Sequence, residues 1–132
     1  MAANNIQLIH ITTVPQSLLF VSGQVGYMKM RGIKVHGFSS PGDYLHTFAA
    51  SEGIDVDAVE MPRRITPLQD LVALFGIWQA FRRLRPQIVH AHTPKGGLLG
   101  MLSAWLSRTK VRVYHMHGLP YLTATGWKRR LL

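Results

Sequence analysis

The chain has 132 residues, with 15 Lys and Arg against 6 Asp and Glu, a formal charge of +9, 47% hydrophobic residues and no cysteine. That length suits one domain with a real core, and the apolar fraction excludes a disordered chain. The absence of cysteine excludes a disulfide scaffold and thiolate metal sites, the most apolar windows fall short of the ~20 residues of a membrane span, and Met1 to Asn5 carries no basic secretory start.

Ile6 to Thr12 is a short apolar run rich in β-branched residues, which predicts a buried strand. A helix follows from about Leu18 to Arg31, with Gly32 ending it and Gly23 and Gly26 inside it, where they could allow close packing on a sheet. Ile33 to Ser39 predicts a second strand, and Asp43 an N-cap for a short helix closed by Gly53. Asp55 to Met61 reads as a third, edge-like strand. Thr66-Pro67 is a helix start, with Asp70 in the first turn and Pro86 preventing continuation. In that helix Leu68, Leu71, Val72, Phe75, Trp78, Phe81 and Leu84 recur at three and four residues, the stripe expected to pack on the sheet. Gln87 to His92 is strand four, Thr93-Pro94 starts a helix to about Ser107, and Val111 to His117 is strand five. Strands alternating with helices predict an α/β fold: a Rossmann-like, doubly wound parallel sheet of about five strands in the order 3-2-1-4-5.

All six acids lie between Asp43 and Asp70, whereas ten basic side chains and no acid follow from Leu71 onward. Such a half attracts an anionic partner, unless it is merely a solvated face. No GxGxxG follows the first strand and no GxxxxGK[ST] occurs, which removes the signatures of dinucleotide oxidoreductases and P-loop NTPases.

Three stretches could carry chemistry. His92, Thr93, Lys95, Gly96 and Gly97 lie where strand four opens a helix, so free N–H groups, small residues and a cation would form an anion seat. The alternative is an ordinary capped helix start whose small residues serve packing. The pairs His90/His92 and His115/His117 each share one strand face. Four imidazoles could hold a metal, but no carboxylate lies nearby in sequence, and no metal is expected. The reading is that His90 and His115 pack inside while His92 and His117 open into a ligand crevice. Gly118 to Arg130 mixes aromatics, hydroxyls and the basic Lys128, Arg129 and Arg130, which suits an anionic or sugar-bearing lipid or else an unstructured end.

The segments His10 to Pro15, Ser39 to Gly42, Met61 to Leu68, Ile88 to Gly100 and His117 to Pro120 resemble the N-terminal half of GT-B glycosyltransferases of family 4, of the bacterial capsule, exopolysaccharide and O-antigen type. The resemblance covers essentially residues 1–132. It implies a truncated acceptor-side domain, with a C-terminal donor-binding domain carrying the paired-Glu motif absent. It implies a retaining transfer from a nucleotide-sugar donor, bound mainly by that other domain, to a polyprenyl-diphosphate-linked saccharide. The enzyme would be cytoplasmic and peripheral on the anionic inner face of the bacterial membrane, with no cofactor and no nucleic acid. His117 matches the active-site His of the family. The Thr13 to Ser17 loop matches the one that approaches the donor diphosphate, although it lacks the Gly-Gly of many relatives. The substrate-binding set is then Thr13, Ser17, His92, Thr93, Lys95, Gly96, Gly97 and Gly118. The isolated chain is expected to be inactive. A competing reading is a non-enzymatic α/β module that binds an anion or nucleic acid, marked by steeply salt-dependent binding.

Overall fold

Five parallel strands form the centre of the molecule in the computed structural model, which describes residues 5–118 and 125–127. They are β1 (Ile6–Ile11), β2 (Ile33–Ser39), β3 (Asp55–Ala58), β4 (Ile88–His92) and β5 (Val111–His115), in the order β3-β2-β1-β4-β5. This is the order expected from the alternation of strands and helices. The direction of winding reverses between β1 and β4, and there the C-terminal strand ends leave a crevice.

Strand alternation divides the core in two. Leu8 and Val35 face Leu18, Val25, Leu45 and Phe48, which come from a 3₁₀ helix (Pro15–Val21) and from helices α1 (Gln24–Met30) and α2 (Asp43–Glu52). Ile9, Ile11, Val89 and Ala91 face the other way, onto Ala73, Ile77 and Phe81 of α3 (Pro67–Leu84) and Leu99 and Ala104 of α4 (Pro94–Leu106). Each large side chain taken fully out of water stabilises this arrangement by roughly 1.5–3 kcal/mol.

Five local readings change. The helix expected over 18–31 is two pieces, because Gly23 sits at φ +85°, a left-handed conformation that ends the 3₁₀ turn and starts α1. Neither Gly23 nor Gly26 packs closely: a Cβ on either would meet nothing within 4 Å. Asp43 is the first residue of α2 and Gly42 is its N-cap, while β3 ends at Ala58 rather than Met61. The largest change is in α3. Its sheet-facing residues are Ala73, Ile77 and Phe81, whereas Leu68, Leu71, Val72 and Phe75 of the expected stripe point to solvent. The sheet accepts the smaller of two apolar faces and leaves the larger uncovered.

Candidate active site

The crevice is built where β1, β4 and β5 end. After β1, the Thr13 hydroxyl accepts a hydrogen bond from the Gly96 N–H at 2.8 Å. It also contacts the Thr93 hydroxyl at 2.8 Å, and the Thr13 N–H donates to the same Thr93 oxygen at 2.9 Å. The Thr93 hydroxyl itself donates to the His92 carbonyl. These bonds hold Thr93 at φ +69°, a region that β-branched residues seldom enter and one that costs on the order of 1–3 kcal/mol. Gly96 permits the close approach, since a Cβ there would lie 2.8 Å from the Thr13 nitrogen. Gly97 lies against the Tyr114 ring.

Two of the donors expected to seat an anion, the Gly96 N–H and Lys95 Nζ, are therefore engaged within the protein. Lys95 Nζ is 2.8 Å from Asp70 Oδ1 and also donates to the Arg64 carbonyl, so its charge joins the start of α4 to the start of α3. The Lys95 hydrogen bond, ahead of the bonds from Thr66, holds the Asp70 carboxyl below its usual range. Gly96 is accounted for by packing on the backbone of the Thr13 loop, in line with the second of the two readings of this stretch, whereas Gly97 meets only a ring that can turn.

The histidines differ from expectation in depth but not in face. In the register, His10 is opposite His90 and His92 opposite His115, so the rings share one side of the sheet. His92 is buried and His115 is exposed, the reverse of the sequence reading, because β4 lies inside the sheet and β5 at its edge. His90 is half-buried. His10, to which the sequence reading gave no role, is buried beside them, and its position on central β1 next to β4 was the available signal. Burial first, then His90, pushes His10 down to about 3; burial, then the other four rings, does the same to His92. Burial followed by the His115 and His117 charges lowers His90, and desolvation followed by His115 lowers His117. Two triads, His10/His90/His92 and His92/His115/His117, bring ring nitrogens within 4.8 Å of one another. The contacts at 3.1 Å (His10 Nδ1 to His92 Nε2) and 2.8 Å (His92 Nδ1 to His117 Nε2) have hydrogen-bond lengths.

His117 is exposed and lines a cleft of about 260 Å³ with Phe20, Thr93, Pro94, Tyr114 and Gly118. Phe20 stacks on its ring, with centroids 4.2 Å apart. Phe20 was not anticipated; its place in the 3₁₀ helix that follows β1 is the only hint that the sequence holds. Ser17, in the 3₁₀ helix, is half-buried and donates its N–H to the Val14 carbonyl. Thr13, Thr93, Gly96, Gly118, His92 and His117 are thus brought to one end of the sheet. The expected ligand loop at 119–124 and the basic group at 128–130 lie outside the described residues.

Residues 5–132 match the family model of a glycosyl transferase 4-like domain. The chain is 30% identical over 124 residues to the capsular polysaccharide biosynthesis glycosyltransferase CapM of Staphylococcus aureus, a match covering 94% of this chain and 32% of CapM. It thus spans about a third of the length of that curated relative. Among solved structures it resembles Acinetobacter baumannii MurG with a TM-score of 0.69 at 15% identity, over 89% of this chain and 37% of MurG. It also resembles Anabaena Alr3699/HepE, solved in complex with UDP and glucose, with a TM-score of 0.67 at 14% identity, over 96% of this chain and 34% of that one. These likenesses place the sheet and its helices in the Rossmann-like fold of GT-B enzymes. The chain belongs to the glycosyl transferase 4-like domain family.

Proposed function

We propose that this chain is the acceptor-side domain of a retaining GT-B glycosyltransferase, which moves a sugar from a nucleotide-sugar donor to a polyprenyl-diphosphate-linked saccharide in surface polysaccharide synthesis. The observation that carries the reading is His117, exposed at the C-terminal end of β5 in a cleft shared with the start of α4. That is where an open α/β sheet takes its ligand. CapM is by its name a glycosyltransferase of capsular polysaccharide biosynthesis, and HepE was solved with UDP and glucose, which supports a nucleotide-sugar donor and a surface-polysaccharide role here. In this reading His117 contacts the reacting sugar, and Thr13, Ser17, Thr93 and Gly118 shape the rim. Lys95 and Gly96 set the position of α4 instead of holding the anion themselves, and Gly97 lies beside them against Tyr114. The donor binds mainly to a second domain.

The acceptor would be met at the cytoplasmic face of a membrane. Leu68, Leu71, Val72 and Phe75 of α3 and Leu98, Leu102 and Trp105 of α4 are exposed. Arg82, Arg85, Arg108 and Lys110 line a cavity of about 730 Å³ at the far ends of the same helices. No described helix is long and apolar enough to cross a membrane. An apolar face beside a basic cluster suits insertion into an anionic leaflet.

In an enzyme that contains this domain, His117→Ala is expected to lower sugar transfer by about 10²-fold or more with the circular dichroism spectrum unchanged. Near-normal turnover by the well-folded variant would remove His117 from the mechanism.

A further inference from the structure

Five imidazoles lie on one face of β1, β4 and β5, and three of them form a hydrogen-bonded row. His92 stands in the middle, with Nε2 against His10 Nδ1 and Nδ1 against His117 Nε2. Among the described residues no carboxylate hydrogen-bonds to any ring of the row; the histidine–carboxylate pair found there is His36 with Asp57. A neutral imidazole owns one N–H and one lone pair. Because His92 uses both nitrogens, the direction of one bond dictates the direction of the other.

Only two polarities satisfy both contacts. In one, His117 Nε2–H donates to His92, His92 Nε2–H donates to His10, and the proton of His10 is left on its Nε2. In the other, His10 Nδ1–H donates to His92, and His92 Nδ1–H donates to His117 Nε2. The buried Nε2 of His10 has no hydrogen-bond partner, and neither does that of His90 beside it. The first polarity would strand an N–H in the core, and the second leaves a bare lone pair there. Buried donors without acceptors are the rarer and costlier case. The inner rings also hold no spare proton, since burial keeps His10 and His92 neutral.

We propose that His10 and His92 are positioning residues that lock His117 in the Nδ1–H tautomer, so that His117 meets its ligand as a neutral hydrogen-bond donor to an oxygen atom and not as a general base. With Nε2 occupied by His92 and Nδ1 protonated, His117 has no free lone pair with which to take a proton. Stacking on Phe20, at 4.2 Å, and on His115, at 4.1 Å, fixes the plane in which that N–H is offered. The inference rests on His117 being the ligand-facing group, but the tautomer can be read without any turnover.

The test is a long-range ¹H–¹⁵N spectrum of the histidine side chains of the 132-residue chain at neutral pH, with and without EDTA. His92 and His117 should both show a protonated Nδ1 and a bare Nε2, unchanged by the chelator. His92→Phe removes the donor, and the His117 proton should move to Nε2, the ordinary preference of a free imidazole. His92→Asn, whose amide NH₂ occupies the place of Nδ1, should restore the Nδ1–H form; a merely structural role would not give this pattern. A wild-type His117 carrying its proton on Nε2 overturns the proposal, as does a spectrum that changes on metal removal. If His92→Phe does not fold, the wild-type and His92→Asn spectra still decide. A normal His117→Ala enzyme with a locked tautomer would instead refute the catalytic reading alone.

Discussion

Gly96 and Gly97 are neighbours on one helix with opposite surroundings. Replacing either with Ala gains up to about 1 kcal/mol of helix propensity. At Gly96 the new methyl meets the Thr13 backbone nitrogen at 2.8 Å and the Thr12 carbonyl carbon at 2.9 Å, atoms that cannot swing aside. Overpacking of this kind costs about 1–3 kcal/mol. At Gly97 the methyl meets the ring of Tyr114, which is 43% exposed and has room to turn away. Gly96→Ala should therefore lower the melting temperature by several degrees, and Gly97→Ala should change it little. Equal losses at the two sites would show that the contact with the Thr13 loop does not govern the position of α4. The same contact explains why an anion seat was an incomplete reading of Lys95-Gly96-Gly97. The partners that use up its donors, Thr13 and Asp70, are remote in sequence, and no local spacing reveals them.

At the scale of elements, α3 and α4 are turned outward. α4 places Gly96, Gly97, Gly100, Ser103 and Ala104 inside, and Leu98, Leu102 and Trp105 outside. Flotation with anionic vesicles should lift the chain at low salt and less so at high salt. Phe75→Ser should weaken that binding by about tenfold, since an exposed aromatic contributes on the order of 1.5–3 kcal/mol when it enters an apolar phase. The melting temperature should stay within a degree or two, because the side chain is already in water. Equal binding to neutral vesicles, or a Phe75→Ser variant that floats like the parent, would argue against this surface. The sheet order was readable because Thr66-Pro67, Thr93-Pro94 and the β-branched runs punctuate the chain locally. The face of α3 was not, because both of its sides are apolar and periodicity alone does not say which one the sheet chooses. The shared face of the histidines followed from the two-residue repeat of strands. Their depths depend on which strand is central and which is the edge, and that is a property of the assembled sheet.

At the scale of the whole molecule, the buried imidazoles link stability to pH. His10 and His92 are held near 3 in the fold and titrate near 6.5 once unfolded. Below about pH 6.5 the unfolded chain binds more protons, so the stability gained by keeping these rings neutral is complete above that pH and is lost as pH falls toward 3. Each ring contributes about 1.4 kcal/mol per pH unit in this window, against a total of about 5–15 kcal/mol for a domain. The groups facing the two rings are His90, His115 and His117, so repulsion among cations adds to the loss on the acid side. The urea midpoint should therefore fall steeply from about pH 6.5 to about pH 5. A level midpoint would mean that the rings accept protons while folded. The two rims of the sheet are also unequal. β3 is four residues long and carries Asp55 and Asp57, charges that discourage another strand from adding there. β5 ends the other rim with Val111, Val113 and Tyr114 open to water and Arg112 as its one formal charge. Its outer row of amide and carbonyl groups is a ready template for edge-to-edge pairing. Of the two rims among the described residues, copies of this 132-residue chain in concentrated solution are expected to pair along β5 and not along β3, whose acids oppose it.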